Sequence, residues 1–216
     1  MEIIPGILEK EWEEIEKKIE ISRAFAQVIH IDILDGKFAD NHTFLDPAPF
    51  KKYSSEILFE VHMMVENPIQ YLQPFADAGF KRFLGHVEQM KDVPEFVAKA
   101  QLYGEVGLAI DGPTPLEKMH VSYEDLDSLL VMTIKAGFSG QSFDPAHLEK
   151  VKKARQASLR GDQLREFPIE VDGGINDLTI LEAKKAGATR FITTSFLFGA
   201  EDPKKQYETL QNLIKE

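Results

Sequence analysis

The chain has 216 residues, 43% hydrophobic and 28% charged, a length and balance suited to one globular domain over 1–216. Its 25 Lys and Arg against 36 Asp and Glu leave a net charge of −11, and its scattered lysine pairs form no basic patch, which excludes a nucleic-acid partner. With no cysteine, disulfides and thiolate metal sites are excluded and a cytoplasmic setting is the default; the start Met1-Glu2-Ile3-Ile4-Pro5 is not signal-like, and no apolar run approaches the ~20 residues needed to span a membrane.

Short runs rich in β-branched residues alternate with amphipathic, charge-laced segments along the chain. In order, the sequence predicts strand Ile3–Leu8, helix Lys10–Ser22, strands Val28–Ile33 and Ile57–His62, helix Ile69–Ala78, strand Arg82–Gly85, helix Val93–Leu102, and strand Val106–Ile110. Strand Ser128–Thr133, helix Pro145–Ser158, strand Ile169–Asp172, helix Leu178–Ala186, strand Arg190–Thr194 and helix Pro203–Ile214 follow. A helical pattern is expected after every strand. Asp144-Pro145 and Asp202-Pro203 read as a capping side chain followed by a first-turn proline, while Gly79, Gly104 and Gly187 mark helix ends. The acidic run Glu11–Glu20 reads as a solvated helix face.

Eight alternations in 216 residues leave about 27 residues each, the size of a βα repeat. Strand–helix–strand alternation demands parallel strands, and eight such units close into an α/β fold, a single-domain (β/α)8 (TIM) barrel. An open doubly wound sheet is the competing architecture. No linker or low-complexity tract divides the chain.

In such a barrel the chemistry sits at the C-terminal ends of the strands. In Val28-Ile29-His30-Ile31-Asp32-Ile33, His30 and Asp32 are two apart and share a face, with isoleucines on the other, so the polar face points into the barrel. The third strand ends on His62, and the seventh on Asp172 before Gly173-Gly174. Two imidazoles and two carboxylates thus meet at one mouth, a donor set suited to one divalent Zn, Mn, Fe or Co ion with positions left for substrate oxygens. Taken singly, a strand histidine is more often structural and an Asp before Gly-Gly more often a turn residue. Four such residues at one end of one barrel are a much rarer coincidence.

Gly137-Phe138-Ser139-Gly140-Gln141, Gly173-Gly174 and Thr194-Ser195 follow the last three strands, where barrels recurrently hold phosphate with backbone N–H groups and a short helix N-terminus. The alternative is that these glycines only serve turns. Phosphate-loop and dinucleotide glycine fingerprints are both missing, which disfavours nucleotides. His86, at the end of the fourth strand, is a weaker candidate that could reach the mouth; His42 falls in a loop, and His120 and His147 read as solvated surface.

Six stretches together resemble the ribulose-phosphate 3-epimerase family over essentially the whole chain. They are His30-Ile31-Asp32-Ile33-Leu34-Asp35-Gly36-Lys37-Phe38, Glu60-Val61-His62-Met63-Met64-Val65, Gly107-Leu108-Ala109-Ile110, Val131-Met132-Thr133-Ile134, Gly137-Phe138-Ser139-Gly140-Gln141-Ser142-Phe143 and Val171-Asp172-Gly173-Gly174-Ile175. The resemblance implies His30, Asp32, His62 and Asp172 as metal ligands, with Asp32 and Asp172 doubling as the acid/base pair. It also implies phosphate contacts from Ser139, Gly140, Gly173, Gly174, Thr194 and Ser195, and packing of Met64 and Met132 around the reacting centre. The implied reaction is inversion at C3 of a ketose phosphate through an enediolate, D-ribulose 5-phosphate to D-xylulose 5-phosphate, with a sugar phosphate as the partner; a homo-oligomer is compatible with the sequence.

The chain departs from the family pattern at several points. Gly6 stands where a substrate-holding serine is usual, Leu34 replaces a methionine, Lys135-Ala136 a glutamate-proline pair, Asp111 leads a turn usually led by asparagine, and Thr194 replaces a glycine. Gly6 removes a polar contact and Thr194 adds bulk near the phosphate. Extra room at Gly6 would favour an allulose 6-phosphate epimerase as the alternative, with a non-catalytic phosphosugar-binding relative as a further one.

Overall fold

The computed structural model describes residues 1–159 and 166–215. Eight parallel strands close into a barrel in sequence order: β1 Glu2–Ile7, β2 Val28–Leu34, β3 Leu58–Met64, β4 Arg82–His86, β5 Glu105–Ile110, β6 Ser128–Met132, β7 Ile169–Asp172 and β8 Arg190–Thr193. Closure is made by β1 on β8, where Ile3 pairs with Phe191 and Pro5 with Thr193. Helices α1 Trp12–Ser22, α2 Ile69–Asp77, α3 Val93–Ala100, α4 Leu148–Ser158, α5 Thr179–Ala186, the short α6 Ser195–Phe198 and α7 Pro203–Lys215 lie between and after the strands.

The period-two reading of the strands explains the packing. Ile29, Ile31, Ile33, Phe59, Val61, Phe83, Leu108, Val131, Val171 and Phe191 are buried in one large apolar cluster with helix residues such as Ile15, Ile19, Phe96 and Ile180. Each such side chain contributes about 1.5–3 kcal/mol by leaving water. A second, smaller cluster, including Ile4, Leu84, Leu130 and Ile192, fills the barrel interior. Below the site the interior holds charges. Arg82 bridges the buried Glu60 and the exposed Glu105, and Arg190 Nη1 donates to the buried Glu170 Oε1 at 2.8 Å, so the buried Glu60, Arg82 and Glu170 each have a partner of opposite charge, as burial requires.

Two connections depart from the expected α-helix. Between β2 and β3 the chain forms a 3-10 segment, Ala48–Tyr53, where Pro47 and Pro49 remove amide donors. Between β5 and β6 there are only the 3-10 turns Leu116–Met119 and Tyr123–Asp125; Pro113 and Pro115 precede the first, and left-handed His120 (φ +54°) ends it. The predicted helix from Pro145 divides into a 3-10 turn, Pro145–His147, and α4. Asp144 and Asp202 cap as expected, accepting from Ala146 N and Lys205 N. Gly79 and Gly187 end helices in the left-handed conformation (φ +98° and +108°). Gly104 does not: α3 stops at Ala100, and glycine is needed at 104 because a Cβ would run into the Lys81 carbonyl. No helix among the described residues is long and apolar enough to cross a membrane.

Candidate active site

The barrel register brings the four predicted residues together. Asp32 on β2 pairs with His62 on β3, and Met132 on β6 with Asp172 on β7. His30, Asp32, His62 and Asp172 each offer a ligand atom, and these atoms all lie within 4.8 Å of one another. Asp32 Oδ1 is 3.3 Å from His30 Nε2 and 2.9 Å from His62 Nδ1. Both imidazoles are fully buried, while Asp172 is half-buried at the mouth.

The far nitrogen of each ring is engaged elsewhere. His30 Nδ1 lies 2.7 Å from Glu60 Oε1, and His62 Nε2 lies 2.7 Å from His86 Nδ1. The rings are therefore held with their near nitrogens converging on Asp32, and a His2Asp2 set oriented from behind fits a first-row divalent ion.

The electrostatics separate the two aspartates. Burial alone would raise Asp32, but the flanking His30 and His62 outweigh it and hold this carboxyl well below the usual range. Asp172 is pushed up to about 7, first by burial and then by the charge of Asp32. His30 would be lowered by burial, yet Asp32 and Glu60 raise it well above an ordinary imidazole. Burial prevails at His62, which falls to about 4.

Above the cluster opens a cavity lined by Asp32, Asp172 and all the predicted phosphate-side residues: Ser139, Gly140, Gly173, Gly174, Thr194 and Ser195. Met64 and Met132 form part of its wall. Gly173 and Gly174 both have positive φ (+115° and +67°), and a Cβ on Gly174 would lie 2.7 Å from Phe143 N, so glycine is needed there on two counts. The loop after β6 is tied down by Gln141 Nε2, which donates to the Lys135 and Phe138 carbonyls, and by Asn41 Nδ2, which donates to Gly137 O.

Glu60 has no role in the sequence reading, and His86 only a weak one. Glu60 links His30 to Arg82. His86, a weaker candidate there, is buried against His62, with Glu88 and Asp111 behind it. A signal was available, because His86 and Glu88 are two apart like His30 and Asp32. His42 and His120 are exposed, but His147 is half-buried with its ring packed over Gly112, where a side chain would have no room.

A closed barrel with this cluster at its C-terminal mouth is the arrangement in which barrel enzymes carry their active sites. The sequence model of the Ribulose-phosphate 3 epimerase family matches residues 2–198, and the chain belongs to that family, whose members are isomerases. A ribulose-phosphate 3-epimerase of Mycobacterium bovis is 35% identical over 181 residues, 82% of this chain and 78% of the relative. One of Schizosaccharomyces pombe is 31% identical over 222 residues, 98% and 93% of the two chains. Among solved structures, 3-hexulose-6-phosphate synthase from Salmonella typhimurium shares the fold at a TM-score of 0.72 and 15% identity, covering 100% of this chain and 99% of its own.

Proposed function

We propose that this protein interconverts D-ribulose 5-phosphate and D-xylulose 5-phosphate by inverting C3, with Asp32 and Asp172 as the two proton carriers. The observation that carries this reading is the convergence of two carboxylates from β2 and β7, three strands apart around the ring, beneath a cavity lined by glycine-rich loops. Inversion requires one group to take the C3 proton and another to return a proton to the opposite face of the enediolate. Carboxylates from separate strands can serve the two faces.

His30, Asp32, His62 and Asp172 would hold one divalent ion. Such an ion would stabilise the negative charge that develops on the substrate oxygens. Glu60 keeps His30 oriented, and the loops bearing Ser139, Gly140, Gly173, Gly174, Thr194 and Ser195 would place backbone N–H groups around the phosphate. Met64 and Met132 lie in the cavity wall, where they would border the reacting centre and keep water from it.

The pentose phosphate is favoured over allulose 6-phosphate because the room expected at Gly6 is taken up by the hydroxyl of Thr194. Incubation of the purified protein with each sugar phosphate, followed by NMR, tests this choice. Faster turnover of D-ribulose 5-phosphate is expected, and a kcat/KM larger on the hexulose phosphate would reverse it.

A further inference from the structure

A second group of convergent ligand atoms lies behind the first. His86, Glu88 and Asp111 offer atoms within 4.8 Å of one another, all buried or half-buried. His86 Nε2 is 2.9 Å from Glu88 Oε2 and 3.7 Å from Asp111 Oδ1, and among the described residues none of the three atoms finds a well-aligned hydrogen-bond partner. Two occupants could sit between them: a cation held by all three, or the N–H of His86 shared by two carboxylates.

Counting hydrogens decides between these. His62 Nδ1 faces Asp32, and its Nε2 meets His86 Nδ1 at 2.7 Å with the rings nearly stacked, 20° apart. A neutral imidazole carries one N–H. If His62 Nδ1 is to give its lone pair to an ion, the hydrogen of His62 must sit on Nε2 and be donated to His86 Nδ1. His86 then carries its own hydrogen on Nε2, directed at Glu88 and Asp111. A cation at His86 Nε2 would force the reverse: His86 Nδ1–H donating to His62 Nε2, with a hydrogen on His62 Nδ1. The two ion sites therefore exclude each other.

We propose that His86 is a positioning residue that fixes His62 in the tautomer able to bind metal, and that Glu88 and Asp111 anchor this chain of hydrogen bonds rather than form a second cation site. This rests on the metal reading of the preceding subsection. Glu88 is itself held in place, since its Oε1 accepts from Asp111 N at 2.9 Å. Lys150 fixes the same turn from outside by donating to the Asp111 and Thr114 carbonyls.

The test compares His86→Phe with His86→Asn. Phenylalanine keeps a ring against Phe38, whose centroid is 4.6 Å from that of His86, but offers His62 no acceptor. Asparagine loses the ring but can place an amide oxygen where Nδ1 stood. Zinc(II) affinity is measured at one fixed pH by competition with a chromogenic chelator. Loss of an outer hydrogen-bond partner costs about 10–100-fold in metal affinity, so His86→Phe should weaken binding by that factor and His86→Asn by about threefold or less. Simple packing would reverse this order. Imidazole 15N spectra of the zinc-loaded wild type should show both His62 and His86 as Nε2–H tautomers. An Nδ1–H His86, equal zinc affinity of His86→Phe and wild type, or a second zinc per chain that Glu88→Gln removes would each overturn the inference. His62→Ala serves as the control: if the wild type takes up no zinc, or this variant binds it at wild-type strength, the metal reading itself fails and the inference with it.

Discussion

Thr194 occupies the space into which a side chain on Gly6 would project. A Cβ built on Gly6 would lie 2.5 Å from Thr194 Oγ1 and 2.7 Å from Ile192 Cγ2, because barrel closure sets β1 against β8. We read the two departures noted in the sequence as one exchange, because in this chain the hydroxyl at this edge of the mouth belongs to Thr194, just after β8, and fills the space beside Gly6 on β1.

This exchange predicts strong coupling between the positions. Gly6→Ser alone forces an overlap, which in packed interiors costs about 1–3 kcal/mol, and should lower both Tm and kcat/KM. Adding Thr194→Gly should recover more than half of each loss, leaving the Cγ2 branch methyl of Ile192 to give way. Additive losses in the double variant would contradict the exchange.

Glu60 should matter for stability as well as for His30. Burial raises its pKa, but the His30 hydrogen bond and the Arg82 charge outweigh this and bring it to about 2, below the ordinary 4.5. The folded chain therefore binds this proton less readily than the unfolded chain. The resulting stability is present above pH 4.5 and is lost as pH falls through about 2. Glu60→Gln, which leaves Arg82 without its buried carboxylate partner, should cost about 3–5 kcal/mol in urea unfolding at neutral pH. The gap to wild type should narrow as the solution is acidified; a constant gap would contradict the assignment.

The late loops should carry the phosphate. Gly174→Ala introduces a side chain at φ +67° and 2.7 Å from Phe143 N, so it should reduce kcat/KM for the phosphorylated substrate sharply. Unphosphorylated D-ribulose should be poor on the wild type, because remote binding energy positions the reacting carbon. Equal kcat/KM for the sugar and its phosphate would refute this role.

Metal removal should abolish activity. Stabilisation of a developing oxyanion is worth about 2.7–4 kcal/mol per donor, so exhaustive chelation should cost at least the corresponding 10²–10³-fold in kcat. Replenishment with zinc or another first-row ion should restore it, and His62→Ala should bind no ion. Undiminished activity in chelated protein with no measurable metal would refute the metal reading.

Much of this was legible in the sequence because it depends on local periodicity. Period-two alternation around His30 and Asp32 gives the inward face whatever the neighbouring strands do. Glu60 was passed over because its meaning comes from register: it matters only once His30 pairs with it on one side and Arg82 on the other. Thr194 and Gly6 are 188 positions apart, and only closure of the ring shows that they share a space. The same holds for His86, whose contact with His62 joins β3 to β4. The connections after β2 and β5 were misread as helical because their prolines were given too little weight against the expected repeat.

The two-aspartate mechanism is tested most directly by following C3 hydrogen exchange in deuterated water with the Asp172→Asn variant, its metal content verified beside wild type. Wild-type protein should interconvert the epimers with deuterium entering at C3, since a carboxylate that has taken the substrate hydrogen can exchange with solvent. Asp172→Asn should no longer interconvert them, while still exchanging the C3 hydrogen of one epimer through Asp32; Asp32→Asn should show the converse. If Asp172→Asn holds its metal and interconverts the epimers at the wild-type rate, Asp172 is not a proton carrier and the mechanism is wrong.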